Sequence, residues 1–360
     1  MLLARGLATD ATQVTLITES QRGAFDDDAL PFAVIRQPGL KRLCRLIHDA
    51  DIVHLAGPCL YPLLVSMLRR KSVIVEHHGY QACCPNGLLL REPDRAVCSG
   101  QFLKRRYDQC LRCEAGRIGV TASLKSVFLT AVRRKLCNRV TANVMVSRHV
   151  ENRLQLVRSR VIYHGVSDCT EAISTAKGVV TFGYIGRMVA EKGLPTLLTA
   201  AKDLMETGYR FHLKMIGDGP ERPALENRCV NAGLTGRVSF TGALTTAQLN
   251  AAASEIDAVI LPSICEETAG LTAMEQMMRG RAVLAADIGG LREIVDGAGV
   301  RFTPGDPVHL AACMRELIKH PLLLGELGSR GRKRAEQMFQ QQRMAAEHRA
   351  LYERILSSSA

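Results

Sequence analysis

Short apolar runs recur along the chain at Val14–Thr18, Ile52–Leu55, Val73–Val75, Val144–Val146 and Val161–Tyr163. They recur again at Val179–Tyr184, Phe211–Ile216, Val238–Phe240, Ala258–Leu261 and Ala282–Ala286. Stretches of helical length and mixed polarity separate them. Alternation of this kind predicts an α/β fold with parallel, doubly wound sheets, one in each half. The polar segment Ser167–Gly178 has no clear periodicity and reads as the join. Met1–Ala8 reads as a helix, and Arg332–Leu356 as one long charged helix at the end of the chain.

One stretch is more specific than the alternation. The run Asp257–Leu261 ends at Pro262-Ser263 as a buried strand would, and two carboxylates follow eight residues apart, Glu267 and Glu275. The pattern predicts a strand, a loop carrying Glu267, and a helix that opens near Gly270, carries Glu275 about one turn in, and stops at Arg279-Gly280. A second strand, Ala282–Ala286, then runs into Asp287-Ile288-Gly289-Gly290. At the mouth of a parallel sheet, the free N–H groups of such a helix start would face a phosphate, and the carboxylates would face sugar hydroxyls.

Composition narrows the class. At 360 residues, 47% of them hydrophobic, the chain is globular and long enough for two cores. No apolar segment is long enough to span a bilayer; residues 54–68 come nearest but contain Gly57, Pro58 and Pro62. No secretory signal is visible at Met1, so a cytoplasmic location with reduced cysteines is expected. The net charge of +12 is lopsided: residues 1–177 hold 26 Lys and Arg against 15 Asp and Glu, and residues 178–360 hold 21 against 20. Clusters at Arg69-Arg70-Lys71, Lys104-Arg105-Arg106 and Arg133-Arg134-Lys135 suit an anionic membrane surface, or nucleic acid, better than a soluble small molecule.

Further motifs follow the same order. Val179–Ile185 ends in Gly186-Arg187, with Lys192-Gly193 five residues on; two cations there can neutralise a diphosphate without a metal. Ile216-Gly217-Asp218-Gly219-Pro220 is a strand-to-helix turn. Together with the glutamate pair, Pro262-Ser263, Gly270-Leu271 and the downstream Gly289-Gly290, these residues resemble the signature of the retaining nucleotide-sugar glycosyltransferases of family 4, also called glycosyl transferases group 1. The resemblance is close over residues 179–305 and looser over 40–170. It implies the GT-B arrangement, two facing Rossmann-like domains with a cleft between them. The expected division is residues 1–170 as the acceptor-binding domain, 171–335 as the nucleotide-sugar domain, and 336–360 as a closing helix returning to the first.

The resemblance also assigns roles. Arg187 and Lys192, after the turn at Gly186, become the phosphate clamp. The N–H groups of Gly270 and Leu271 cap the phosphates, Glu275 holds the ribose hydroxyls, and Glu267 faces the reacting side of the donor sugar. In the first half, His78-Gly79-Tyr80-Gln81-Ala82-Cys83-Cys84-Pro85 is similar to a family motif in which Asp stands where this chain has Gly79. His78 then becomes a catalytic candidate beside the donor sugar, and the acceptor base is left unassigned. Family members usually begin with a strand and a glycine loop; here Met1–Ala8 already matches the helix that follows, so the opening strand is expected to be missing.

Cys84, Cys98, Cys110 and Cys113, with the last two as a CxxC, are spaced to hold one structural zinc or to stand as reduced thiols. No cofactor is expected for catalysis. The implied function is transfer of a hexose-type sugar from a nucleotide diphosphate sugar to a saccharide or lipid-linked saccharide, peripherally at the inner membrane surface and without nucleic acid as a partner. Two alternatives stand beside it: a basic, zinc-containing nucleic-acid-binding protein, and an inactive truncated glycosyltransferase. A nicotinamide oxidoreductase is disfavoured, because no clean Gly-x-Gly-x-x-Gly follows a first strand.

Overall fold

The computed structural model describes residues 1–9, 12–21, 26–169 and 178–358. Most of the expected join, residues 170–177, lies outside the described residues. The chain forms two compact units. One comprises Met1–Leu89, Ser99–Ser167 and Met338–Ala360; the other comprises Leu90–Cys98 and Asp168–Gln337.

In the first unit, β1 (Thr15–Thr18) pairs in parallel with β2 (Ala33–Arg36) as a sheet of two. A second parallel sheet follows the order β3-β4-β7-β8, from β3 (Ile52–Ala56), β4 (Ser72–His77), β7 (Ala142–Met145) and β8 (Ser159–Val161). A short antiparallel pair, β5 (Leu90–Arg91) with β6 (Ala96–Val97), falls in the other unit. The first unit is therefore not one continuous sheet: among the described residues, no strand joins β1 to β3. Met1–Ala8 yields the helix Leu2–Leu7, which packs on the closing helix Gln341–Ser357. Ile74, Val144 and Ile162 form the core under that helix with Met344, Leu351 and Ile355.

The second unit is a single six-stranded parallel sheet in the order β11-β10-β9-β12-β13-β14. Its strands are β9 (Val180–Ile185), β10 (Phe211–Ile216), β11 (Val238–Gly242), β12 (Ala258–Leu261), β13 (Ala282–Ala286) and β14 (Val300–Phe302). The interior strands β12 and β13 are buried at every position, which is why they read as continuous apolar runs. Phe182, Tyr184, Phe211, Leu213 and Met215 pack the sheet against helices such as Leu194–Glu206 and Pro307–Lys319. Burying a side chain of that size stabilises the unit by about 1.5–3 kcal/mol.

Three expectations change. β7 begins two residues and ends one residue earlier than its apolar run suggests, and β8 begins and ends two residues earlier. β2 and β14 were not expected: β2 is four residues with no buried position, and β14 is interrupted by the exposed Arg301. The long helix expected over Arg332–Leu356 is two, Leu322–Met338 and Gln341–Ser357. Phe339 causes the break. Its ring is wholly buried edge-on against Tyr163, with centroids 5.9 Å apart. Its carbonyl accepts from the Val166 N–H at 2.8 Å, and Gln341 N–H donates to the Val166 carbonyl at 3.2 Å. Two strand-like hydrogen bonds here replace a helical turn. Among the described residues, no helix is long and apolar enough to cross a membrane.

Candidate active site

The strand order of the second unit fixes where a ligand is best held. From β9 the chain winds outward through β10 to β11, then returns to the other side of β9 with β12 and continues through β13 to β14. The winding reverses between β9 and β12. At such a switch point the loops leaving neighbouring strands diverge and leave a crevice at their carboxyl ends. The two loops here carry the sequence-predicted residues: Gly186, Arg187 and Lys192 after β9, and Ser263 to Gly270 after β12.

These loops are locked together. Lys192 Nζ and Glu267 Oε1 form a partly buried ion pair, and Ser263 Oγ donates to the same oxygen at 2.6 Å. Ile264 N–H donates to the Glu191 carbonyl at 3.0 Å. Gly193, which starts the helix Leu194–Glu206, makes this approach possible. Its φ is +64°, and a Cβ there would lie 2.1 Å from the Pro262 carbonyl oxygen. From the next loop, Gly290 N–H donates to the Glu267 carbonyl at 2.6 Å, which holds the backbone of the glutamate as well as its side chain.

Glu275 lies in the helix Leu271–Met278, opened by Gly270 in the left-handed conformation (φ 60°). Gly270 supplies no capping side chain, so the first-turn N–H groups are open to an anion. Glu275 is exposed, yet the protein around its carboxyl raises it above the usual carboxylate range, with Arg279 opposing. Among the described residues, neither Arg187 nor Glu275 forms an ion pair. Tyr184 is a residue that the apolar reading of β9 concealed. It is buried, and its hydroxyl donates to the Arg187 carbonyl at 2.5 Å. Burial pushes that hydroxyl well above its ordinary value; the charge of Glu267 adds to the effect, and that of Arg187 opposes it.

In the first unit, β4 delivers Glu76, His77 and His78. His77 is buried against Asn143 Oδ1 at 2.9 Å, and burial drops its pKa to about 4. His78 is half-exposed and stacks on His164, with 3.2 Å between Nδ1 and Nε2. Burial lowers His78 as well, and Glu76 opposes. Neither Glu76 nor His164 was singled out from sequence; the Glu76-His77-His78 run was the available signal. Of the cysteines, Cys110 and Cys113 lie one turn apart in the helix Tyr107–Ile118. Cys84 Sγ is 3.0 Å from Asn86 Oδ1, and Asn86 Nδ2 is 3.9 Å from Cys113 Sγ. Cys98 falls in the other unit.

The profile of Glycosyltransferase Family 4 matches residues 1–168, and that of Glycosyl transferases group 1 matches residues 179–320. A 2-deoxystreptamine glucosyltransferase of Streptomyces kanamyceticus is 33% identical over 183 residues, 50% of this chain and 47% of that protein. The matched stretch thus spans about half the length of that curated relative. Among solved structures, a sucrose-phosphate synthase from Thermosynechococcus elongatus superposes with TM-score 0.75 at 18% identity, covering 99% of this chain and 92% of the other. The Anabaena HepE protein in complex with UDP and glucose gives TM-score 0.67 at 17% identity, over 90% and 86% of the two chains. At these identities the likeness is one of fold. The chain belongs to the family 4, group 1 glycosyltransferases of the GT-B fold class.

Proposed function

We propose that the chain moves a hexose-type sugar, with retention, from a nucleotide diphosphate sugar to a saccharide or lipid-linked saccharide. The observation that carries this reading is the joining of Lys192 and Glu267 across the β9–β12 switch point, with Arg187 and the open helix start at Gly270-Leu271 in the flanking loops. Arg187 and Lys192 neutralise the departing diphosphate, and the N–H groups of Gly270 and Leu271 add dipoles to the same anion. Glu275 accepts hydrogen bonds from the ribose hydroxyls. Glu267, oriented by Ser263 and Lys192, faces the sugar as positive charge develops at its anomeric carbon, and the acceptor hydroxyl attacks from the face the nucleotide leaves. His78 is the first domain's contribution to the sugar or its leaving oxygen. No metal is needed for these steps. UDP is the first donor nucleotide to try, since HepE was crystallised with it.

The first domain binds the acceptor, and an anionic membrane surface brings that acceptor within reach. In the helix Val120–Cys137, Val120, Leu124 and Phe128 are exposed and four residues apart, so they share one face. Leu64 and Leu68 are also exposed on the contacting helix Leu60–Leu68, which runs into Arg69-Arg70-Lys71. Apolar side chains bordered by cations suit the headgroup boundary of an anionic bilayer. Arg134 is committed elsewhere: it donates to the carbonyls of Leu154 and Gln155 at the end of another helix. A structural zinc belongs to the same reading, supported within the first unit by the Asn86 shared between Cys84 and Cys113 and by the helical spacing of Cys110 and Cys113.

Transfer is tested by incubating the chain with UDP-sugars and lipid-linked saccharides and measuring UDP release and product anomer. Release of UDP with an inverted product would overturn the stereochemical part of the reading. The break between β1 and β3 favours one second reading, a chain that binds donor but does not transfer. Saturable UDP binding without acceptor-dependent release would identify that case.

A further inference from the structure

Glu76 is buried on β4 and ringed by imidazoles. His54 Nε2 lies 3.2 Å from its Oε2, His78 Nε2 lies 3.7 Å from the same oxygen, and His164 Nδ1 lies 3.8 Å from Oε1. His78 and His164 engage each other directly, as described above. The other side of the carboxylate is different. His348, on the helix Gln341–Ser357, is wholly buried and stacks on His54 with centroids 5.6 Å apart. Its Nδ1 lies 2.8 Å from the Met344 carbonyl oxygen, so Nδ1 carries the proton and Nε2 carries the lone pair. His54 Nδ1 lies 2.5 Å from the Tyr352 hydroxyl, which can accept from it and leave the His54 Nε2 lone pair free in turn.

Both Nε2 atoms are buried without a hydrogen-bond partner, His54 Nε2 even though it lies 3.2 Å from Glu76 Oε2. Leaving such atoms unsatisfied is unfavourable in a folded interior. One ligand atom each from His54, Glu76 and His348 falls within 4.8 Å of the other two. Two imidazole nitrogens and a carboxylate oxygen are a donor set for a divalent transition ion. A ligating histidine ordinarily has its second ring nitrogen held by a carbonyl, carboxylate or water, as Met344 holds that of His348 here.

We infer that His54, Glu76 and His348 form a binding site for one divalent transition-metal ion, zinc by its chemistry, that ties the closing helix to strands β3 and β4. The ligands are far apart in sequence, so the ion links three segments of the first unit that meet only on folding. His348 reaches the site from the helix, so an ion once bound leaves only as that helix lifts. This site is separate from the cysteine site and does not rest on the proposed sugar transfer.

The test uses the full chain, stripped with chelator, dialysed and titrated with Co2+ and, separately, Zn2+. Carrying Cys110→Ser and Cys113→Ser removes the thiolate site, so any remaining ion belongs elsewhere. The expected result is one retained ion per chain, a Co2+ spectrum with d–d bands and no thiolate charge-transfer band, and a melting temperature that climbs with Zn2+ concentration. His348→Phe should lose that equivalent and flatten the climb. Because His348 is wholly buried, the less buried His54→Gln repeats the test, with circular dichroism confirming the fold. Retention of the ion by folded His54→Gln at the wild-type level would overturn the site, as would absence of any non-thiolate ion in the parent.

Discussion

Replacing Gly193 with alanine tests whether the two loops of the switch point are held as closely as the structure shows. Gly193 has a φ of +64°, and a Cβ built on it would meet the Pro262 carbonyl oxygen at 2.1 Å and Ile264 Cγ2 at 3.0 Å. The left-handed conformation costs an alanine about 1–2 kcal/mol. The clash adds about 1–3 kcal/mol, because its main partner is backbone and no rotamer change relieves it. Together the substitution should destabilise the second unit by about 2–5 kcal/mol. For a unit of this size each kcal/mol lowers the melting temperature by about 2–4 °C. Urea or thermal unfolding of Gly193→Ala beside the parent measures it directly. The displaced loop would also pull Lys192 away from Glu267, so nucleotide affinity should fall with stability. A change below about 0.5 kcal/mol would refute the argument, since it would mean the β9 and β12 loops do not abut as described.

Other consequences follow from the same geometry. In a double-mutant cycle, Lys192→Met and Glu267→Gln should show a coupling of about 1–2 kcal/mol, above the surface-pair median because the pair is partly buried; additive effects would contradict the pair. Since its surroundings raise the Glu275 carboxyl, acidification should protonate it earlier than an ordinary glutamate and weaken nucleotide binding as the pH falls through that raised value. Calorimetry across pH should show that weakening in the parent and lose it in Glu275→Gln. Burial pushes Cys137 and Cys265 up to about 12, so both should resist a thiol reagent at pH 8 in the native chain and react on unfolding. Leu124→Ser with Phe128→Ser should reduce flotation on anionic liposomes several-fold without changing nucleotide affinity; unchanged flotation would remove that face from membrane contact.

The second unit was largely legible in the sequence because β9, β12 and β13 are almost wholly buried and glycines follow β9, β10 and β13 closely. Ala258–Leu261, Phe211–Ile216 and Ala282–Ala286 match their apolar runs residue for residue. The helix bearing Glu275 opens after Gly270 and closes before Arg279, as its punctuation suggested. The expected loop position of Glu267 also stands, although its partners Lys192 and Ser263 could not be paired by spacing alone. Where sequence fell short, tertiary contacts had decided. Phe339 breaks a helix that charge patterning made continuous, because its burial against Tyr163 outweighs local propensity. The convergence of His54, Glu76 and His348 joins residues nearly 300 positions apart, a relation no local pattern records.

Titration calorimetry with UDP, ADP and GDP decides whether the β9–β12 switch point holds a nucleotide. Saturable binding of one nucleoside diphosphate per chain is expected, weakened at least tenfold by Arg187→Ala and again by Glu275→Ala, in variants that remain folded. Ten-fold corresponds to about 1.4 kcal/mol, the least expected from losing a charge-assisted contact to a diphosphate or a carboxylate–ribose hydrogen bond. Binding that survives both substitutions unchanged would place the nucleotide elsewhere on the chain.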